Sequence, residues 1–221
     1  MITDIDNATK IAEYLLQIKA IKLQPNDPFT WSSGWKSPIY CDNRKILSYP
    51  KIRTFVRQKF TELILDQHGK PDIIAGVATG GIAIGALIAE ELGLPFIYVR
   101  SSAKAHGLGN QIEGDYSMGT NVVVIEDLIS TGGSSLKAVE ALREAGLIVK
   151  GVVAIFNYGF DISDQAFEKA KCPIHELSNY ETMIHLALEQ NVISKDDVGS
   201  LQDWRVSPET WKKIIEDENR K

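Results

Sequence analysis

The stretch Asn121–Ser135, NVVVIEDLISTGGSS, constrains this chain more than any other. Its β-branched run, Val122 to Ile125, suits a strand of a parallel sheet covered on both faces, and parallel strands require crossover connections rather than hairpins. The run stops at two carboxylates, Glu126 and Asp127, and a Ser/Thr/Gly loop then leads into a helical pattern from about Ser134. Ligands of open parallel sheets gather beyond the carboxyl ends of the strands, where these acids are predicted to sit. Gly132 and Gly133 let backbone N–H groups approach a ligand closely, and the N-terminus of the next helix favours an anion. Carboxylates only accept hydrogen bonds, so Glu126 and Asp127 suit the hydroxyls of a ribose while the later amides suit its phosphate. The simpler alternative is a strand end with two solvated acids and an ordinary connecting loop.

The rest of the pattern agrees with a parallel sheet. Strands are predicted at Asp72–Ala78, Phe96–Arg100, Asn121–Glu126 and Val149–Phe156, with helices at Tyr49–Gln67, Gly81–Leu92 and Ser134–Ala145. Such alternation implies right-handed βαβ crossovers and an α/β, doubly wound parallel sheet. After Tyr158 a further helix, a short strand near Ile174–Leu177 and C-terminal helices are expected. An N-terminal helix places Ile11, Tyr14, Leu15 and Ile18 on one stripe, with a cap among Asp6, Asn7 and Thr9. Short extended pieces from Ile21 to Arg44 suggest a small hood. No repeat or Gly/Pro/Ser-rich linker divides the 221 residues. They are expected to form a single domain: N-terminal helix and hood (1–48), α/β core (49–178) and C-terminal helices (179–221).

Composition excludes several function classes. A net charge of −5 offers no basic face for nucleic acid, so an anionic ligand needs a local cluster of donors. The two cysteines, Cys41 and Cys172, make neither a disulfide framework nor a complete cysteine zinc site, which favours a reducing, cytoplasmic setting. The N-terminus, MITDIDNATK, has no basic segment followed by an apolar one, and no apolar run is long enough to span a bilayer. Neither G-x-x-x-x-G-K-[ST], a complete G-x-G-x-x-G, nor H-E-x-x-H occurs.

Further segments are candidates for the same ligand. GVATGG at Gly76–Gly81 follows an apolar strand and either frees amides for a second phosphoryl group or packs a helix closely on that strand. The interval Ser101–Thr120 has no apolar period and joins two strands, the mark of a functional loop. It follows Arg100 and carries Lys104 and His106, donors suited to closing over a polyphosphate; a solvated loop with an incidental histidine is the alternative. Trp31, Ser33, Gly34, Trp35, Lys36, Tyr40 and Arg44 in the hood suit the stacking of a flat ring or, equally, the core of a small sheet.

VVVIEDLISTGGSS resembles the sugar-pyrophosphate signature of the type I phosphoribosyltransferases. With FTWSSGWKSPIYCDNR before it and YVRSSAKAHGLGNQIEG between them, the chain is similar to the orotate branch of that family over roughly Phe29–Tyr158. The resemblance implies transfer of phosphoribosyl from 5-phosphoribosyl 1-pyrophosphate to orotate, giving orotidine 5-monophosphate and pyrophosphate in de novo pyrimidine (UMP) biosynthesis. It implies a sugar-pyrophosphate site of Thr79, Gly80, Arg100, Lys104, His106, Glu126, Asp127, Leu128, Ile129, Ser130, Thr131, Gly132, Gly133 and Ser134. Ala78–Gly81 make its pyrophosphate loop. Ser130 also touches orotate, and Lys104, His106 and Asp127 are catalytic. Mg²⁺ is implied as cofactor, held mainly through the sugar pyrophosphate with no direct protein ligand, as is a homodimer whose lid cations reach the neighbouring subunit. Neither nucleic acid nor membrane is an expected partner.

Ser32, Gly80 and Ser101 stand where the best-known branch has lysines, which places more weight on Lys104, His106 and Mg²⁺. No arginine after the signature is identified as partner for the orotate carboxylate, so the orotate assignment rests on the hood motif. The alternatives are a uracil or purine phosphoribosyltransferase, which keeps the sugar site and changes the hood, and a non-catalytic regulator that senses the sugar pyrophosphate.

Overall fold

The computed structural model describes residues 4–31, 33–102 and 111–211. Its centre is a six-stranded sheet of β5 (Ile73–Val77), β6 (Phe96–Val99), β7 (Ile112–Glu113), β8 (Asn121–Ile129), β9 (Ile148–Asn157) and β10 (Ile174–Asn179), in the order β10-β9-β8-β5-β6-β7. Every neighbouring pair is parallel except β6 with β7. The expected α/β doubly wound sheet is therefore present.

Its faces are covered by different helices, as the two-sided apolar run of β8 requires. Val123 and Ile125 join the cluster that includes residues of α1 (Ile5–Gln17), α2 (Pro50–His68), α3 (Gly80–Leu92) and α6 (Tyr180–Glu189). Val122 and Val124 join the cluster built with α4 (Gly133–Glu144) and Phe167 of α5 (Asp161–Lys169). Helix α3 follows β5 and α4 follows the adjacent β8, yet they lie on opposite faces. The chain order reverses between these two strands, which opens a crevice at their carboxyl ends.

The hood consists of two small antiparallel pairs, β1 (Ile21–Leu23) with β4 (Ile39–Cys41) and β2 (Phe29–Thr30) with β3 (Lys36–Ser37), followed by a 3-10 turn at Asn43–Ser48. The last described helix, α7 (Lys195–Val206), supports it from behind. Trp204 of α7 is fully buried, and its Nε1–H donates to the Lys36 carbonyl at 3.1 Å. Trp31, Tyr158 and Phe160 pack on its ring, joining the hood and the end of β9 into one aromatic cluster.

Some boundaries differ from the sequence reading for physical reasons. The cap of α1 is Asp4, whose carboxylate accepts from the Asn7 N–H at 2.9 Å, not Asp6, Asn7 or Thr9. Ile18 lies one residue past the end of α1, although it remains buried. Strand β8 does not stop at Glu126; β9 carries it on through Leu128 and Ile129, while pairing with β5 ends at Ile125. The interval Ser101–Thr120 is not loop throughout, because Ile112 and Glu113 add an antiparallel edge strand to β6.

Candidate active site

The site grows from the part of β8 that has lost its β5 neighbour. Glu126 and Asp127 follow one another on this extension, and their carboxyls interact with each other as well as with their neighbours. Glu126 is 4% exposed; its Oε1 accepts from the Asp127 N–H at 3.0 Å and its Oε2 from the Ser135 hydroxyl at 2.9 Å. Burial pushes its carboxyl well above the ordinary range, and the adjacent Asp127 charge adds to the effect. Glu126 thereby ties β8 to the first turn of α4.

Asp127 is partly buried and packs on the start of α3. A Cβ at Gly80 would lie 2.1 Å from the Asp127 carboxyl carbon, so residue 80 has no side chain because that carboxylate fills the space. Burial raises the Asp127 carboxyl, while a bond from Glu126 and the charge of Arg44 oppose the shift. The Asp127 carbonyl accepts from Asn43 Nδ2 at 2.6 Å, and the Asn43 Oδ1 accepts from the Cys41 thiol at 3.2 Å. The hood is thus anchored to the backbone of the acid at the crevice. Burial, followed by the Asp127 charge, raises the Cys41 thiol well above its usual range and keeps it neutral.

The loop after β8 ends in Gly132, whose φ of +78° is a left-handed conformation natural to glycine. A side chain there would also strike Phe167 at 2.8 Å. No side chain caps α4, so its first-turn amides are not satisfied in the way Asp4 satisfies those of α1. A Cβ at Gly133 would meet nothing within 4 Å, and Ser134 is exposed, so this end of the helix is open. Those amides and the helix dipole suit a phosphate.

The other glycines of GVATGG have a packing role. Gly76 and Gly81 bring α3 against β5 and β8, since a Cβ at Gly81 would lie 2.3 Å from the Ile125 carbonyl oxygen. Thr79 precedes α3 and gives it no side-chain cap. Arg100, just past β6, pairs with Glu113 of β7 at 3.4 Å rather than with Glu126 or Asp127. Lys104, His106 and Ser32 lie outside the described residues.

A cavity of about 620 Å³ adjoins the loop. The hood supplies Thr30, Trp31, Ser33, Trp35, Tyr40 and Cys41, and the strand ends supply Leu128, Ser130, Thr131 and Tyr158. The indoles of Trp31 and Trp35 are 19° from parallel with centroids 6.5 Å apart. Ser130 and Thr131 therefore belong to two neighbouring spaces, the phosphate-suited loop and an aromatic cavity of a size for one flat ring. Tyr158, Cys41 and Asn43 are site residues that sequence reasoning did not single out. The abrupt polar or aromatic position after the apolar run of β9 is the signal that marks Tyr158.

A glycine-rich, phosphate-suited loop at the reversal point of a doubly wound sheet, beside a hooded aromatic cavity, is an arrangement suited to a nucleotide-forming transferase. The phosphoribosyl transferase domain model matches residues 43–179. The chain is 58% identical over 200 residues to the orotate phosphoribosyltransferase of Bacteroides thetaiotaomicron, covering 90% of this chain and 94% of that one. Among solved structures, Leishmania donovani UMP synthase superposes with a TM-score of 0.75 at 30% identity, covering 89% of this chain and 42% of that protein. The orotate phosphoribosyltransferase of Aeropyrum pernix superposes with a TM-score of 0.70 at 27% identity, covering 83% of this chain and 99% of that one. The chain belongs to the phosphoribosyltransferase family, in its orotate phosphoribosyltransferase branch.

Proposed function

We propose that this chain transfers phosphoribosyl from 5-phosphoribosyl 1-pyrophosphate to orotate, yielding orotidine 5-monophosphate and pyrophosphate in pyrimidine biosynthesis. The observation that carries the reading is the shared wall: Ser130 and Thr131 lie both in the phosphate-suited loop and in the lining of the hood cavity. That wall sets a ring in the hood beside the sugar held at the crevice.

Displacement at the anomeric carbon develops oxocarbenium character on the ribose, as in other glycosyl transfers. Asp127 accepts from the ribose hydroxyls and sets negative charge beside that carbon; Glu126 offers its remaining lone pairs and holds the strand and helix in register. The amides of Ser130 to Ser134 bind the 5-phosphate, and those of Thr79 and Gly80 face the pyrophosphate. Orotate can attack through a ring nitrogen as an anion, its N–H proton passing to solvent or to the departing pyrophosphate, so no strong base is assigned to the chain. The role of the residues around it is to orient the ring and exclude water.

Among the described residues, no group of three or more His, Cys, Asp and Glu side chains is placed to hold a metal ion. The Glu126 and Asp127 carboxylates are hard oxygen donors at the carboxyl end of β8, and Asp127 would help hold Mg²⁺ carried by the substrate's oxygens. When bound, Mg²⁺ supplies positive charge to the departing pyrophosphate. Lys104 and His106 provide further cations there, from the neighbouring subunit of a homodimer, with Arg100 at the root of the same loop. No helix among the described residues is long and apolar enough to cross a membrane.

The test is purified protein with Mg²⁺ and the sugar pyrophosphate, offered orotate, uracil, adenine and hypoxanthine separately. Loss of orotate absorbance supports the reading; turnover of another base alone, or of none, rejects it. Lys104→Ala is expected to lower kcat much more than it weakens substrate binding, and an unchanged kcat removes Lys104 from the chemistry.

A further inference from the structure

We propose that Lys36 and Thr30 form the corner of the hood cavity that recognises the base's carboxylate, and so set the preference for a carboxylated pyrimidine; this rests on the orotate reading above. Among the described residues the cavity wall is aromatic, aliphatic, thiol and hydroxyl, with no charged side chain in it. Orotate brings a full negative charge into that space, and a charge removed from water without a cation in reach is strongly penalised. A cation beside the wall offsets that cost.

Three cations near the hood are engaged elsewhere, and Lys22, opposite Tyr40 in the β1–β4 pair, makes no hydrogen bond to a residue of the wall among the described residues. Arg44 is bound to Asp42 at 2.6 Å and also faces Asp127. Arg205 directs both Nε and Nη2 to the Gly159 carbonyl, at 3.3 and 3.1 Å. Lys45 donates to the Lys19 carbonyl at 3.0 Å. Among the described cations, Lys36 hydrogen-bonds a residue of the wall. It stands directly opposite Thr30 in the β2–β3 pair, so the two side chains share a face of the hairpin, and Thr30 lines the cavity. Its Nζ donates to the Thr30 Oγ1 at 3.0 Å, and no carboxylate among the described residues pairs with it.

A hydroxyl that accepts from an ammonium keeps its own proton to donate. Thr30 can thus give its O–H to a carboxylate in the cavity while the Lys36 charge stays one hydrogen bond behind, a charge-assisted arrangement. The position of Lys36 is fixed at its backbone, because its carbonyl accepts from the fully buried Trp204 at 3.1 Å. The backbone beneath the corner is therefore held, while the Lys36 and Thr30 side chains are exposed at the edge of the cavity.

The test compares wild type with Lys36→Gln, Lys36→Arg and Thr30→Val in orotate turnover and in binding of the products orotidine 5-monophosphate and uridine 5-monophosphate, which differ by the carboxylate alone. Lys36→Gln is expected to lower kcat/KM for orotate about 10- to 100-fold, mainly through KM, and to leave KM for the sugar pyrophosphate within about twofold. It is also expected to remove most of the preference for orotidine over uridine monophosphate. Lys36→Arg retains that preference, and Thr30→Val weakens it. A folded Lys36→Gln with an unchanged KM for orotate, or an equal loss of affinity for both nucleotides, overturns the assignment. Wild-type protein that consumes uracil or a purine and no orotate overturns the functional reading itself, a result visible before any variant is made.

Discussion

Replacing Gly80 by alanine puts a methyl group into space that Asp127 occupies. The new Cβ would lie 2.1 Å from the carboxyl carbon and 2.2 and 2.3 Å from its oxygens. Carbon atoms rest about 3.5–4.0 Å apart, so the carboxylate has to move by more than about 1 Å. Backbone retreat is the harder alternative, because Gly81 next in the chain already lies against the Ile125 carbonyl. A catalytic group misplaced by about 1 Å lowers turnover on the order of 100-fold, or about 2.7 kcal/mol of transition-state stabilisation. Stability responds differently. Gly80 has no left-handed backbone to lose, and Gly→Ala at a compatible position gains about 0.4–1 kcal/mol from the unfolded chain, which offsets part of the local crowding. The melting temperature is then expected to stay within about 4 °C of wild type. Steady-state kinetics on orotate and a thermal melt check the pair of values. Gly199→Ala, inside α7 with nothing within 4 Å of its added carbon, is the control that should raise the melting temperature slightly without touching turnover. Full activity in Gly80→Ala would refute the claim that Asp127 must sit where it does. A collapse of stability by more than about 10 °C would show that the backbone, and not the carboxylate, absorbs the clash.

Three further outcomes are expected. Asn43→Ala removes the 2.6 Å bond that fastens the hood to the Asp127 carbonyl and should destabilise the protein by about 1–3 kcal/mol in urea unfolding, with a raised KM for orotate; a change confined to stability would separate the anchor from the site. Trp204→Ala empties the middle of the aromatic cluster and frees the Lys36 carbonyl, for a loss of about 3–5 kcal/mol and a weakened orotate site, measured by denaturant midpoint and KM. His68 and His175 stack edge to face at 5.1 Å with His68 Nε2 and His175 Nδ1 buried and unpartnered, and burial lowers both, His175 to about 4, with Lys150 opposing protonation of His68. Their unfolded values lie near 6.5, so between about 6.5 and 4 the unfolded chain binds more protons and stability falls with falling pH. A urea midpoint that is flat over this window, or one equally steep in His175→Gln, would exclude the pair as the cause.

The architecture was legible from local signals, because hydrophobic period and glycine punctuation are properties of neighbouring residues. The apolar run at Val122–Ile125, the alternation of strands and helices and the helix at Pro50–His68 all follow from such patterns. Edges were less so: Ile112–Glu113 pairs with β6 only because the chain folds back on it, and a two-residue strand has no period to read. The cap of α1 shifted to Asp4 for the related reason that several Asp, Asn and Thr residues compete locally and the start of packing decides among them.

The sequence by itself determined the chemistry available: two acids after a buried strand, a Ser/Thr/Gly loop before a helix, and an aromatic segment rich in hydroxyls. Tertiary structure alone decided how those parts divide the work. Glu126 is spent largely on Ser135 and the Asp127 amide, whereas the Asp127 carboxyl packs on Gly80 at the start of α3, contacts that the sequence alone does not relate. Gly80 lacks a side chain because a residue far along the chain fills its space. Asn43 reaches Asp127, Trp204 reaches Lys36, and Ser130 and Thr131 come to border the hood cavity through contacts between segments that sequence spacing does not relate. Residue types set what each position can bind; the crossing of α3 and α4 over opposite faces of one sheet set where they meet.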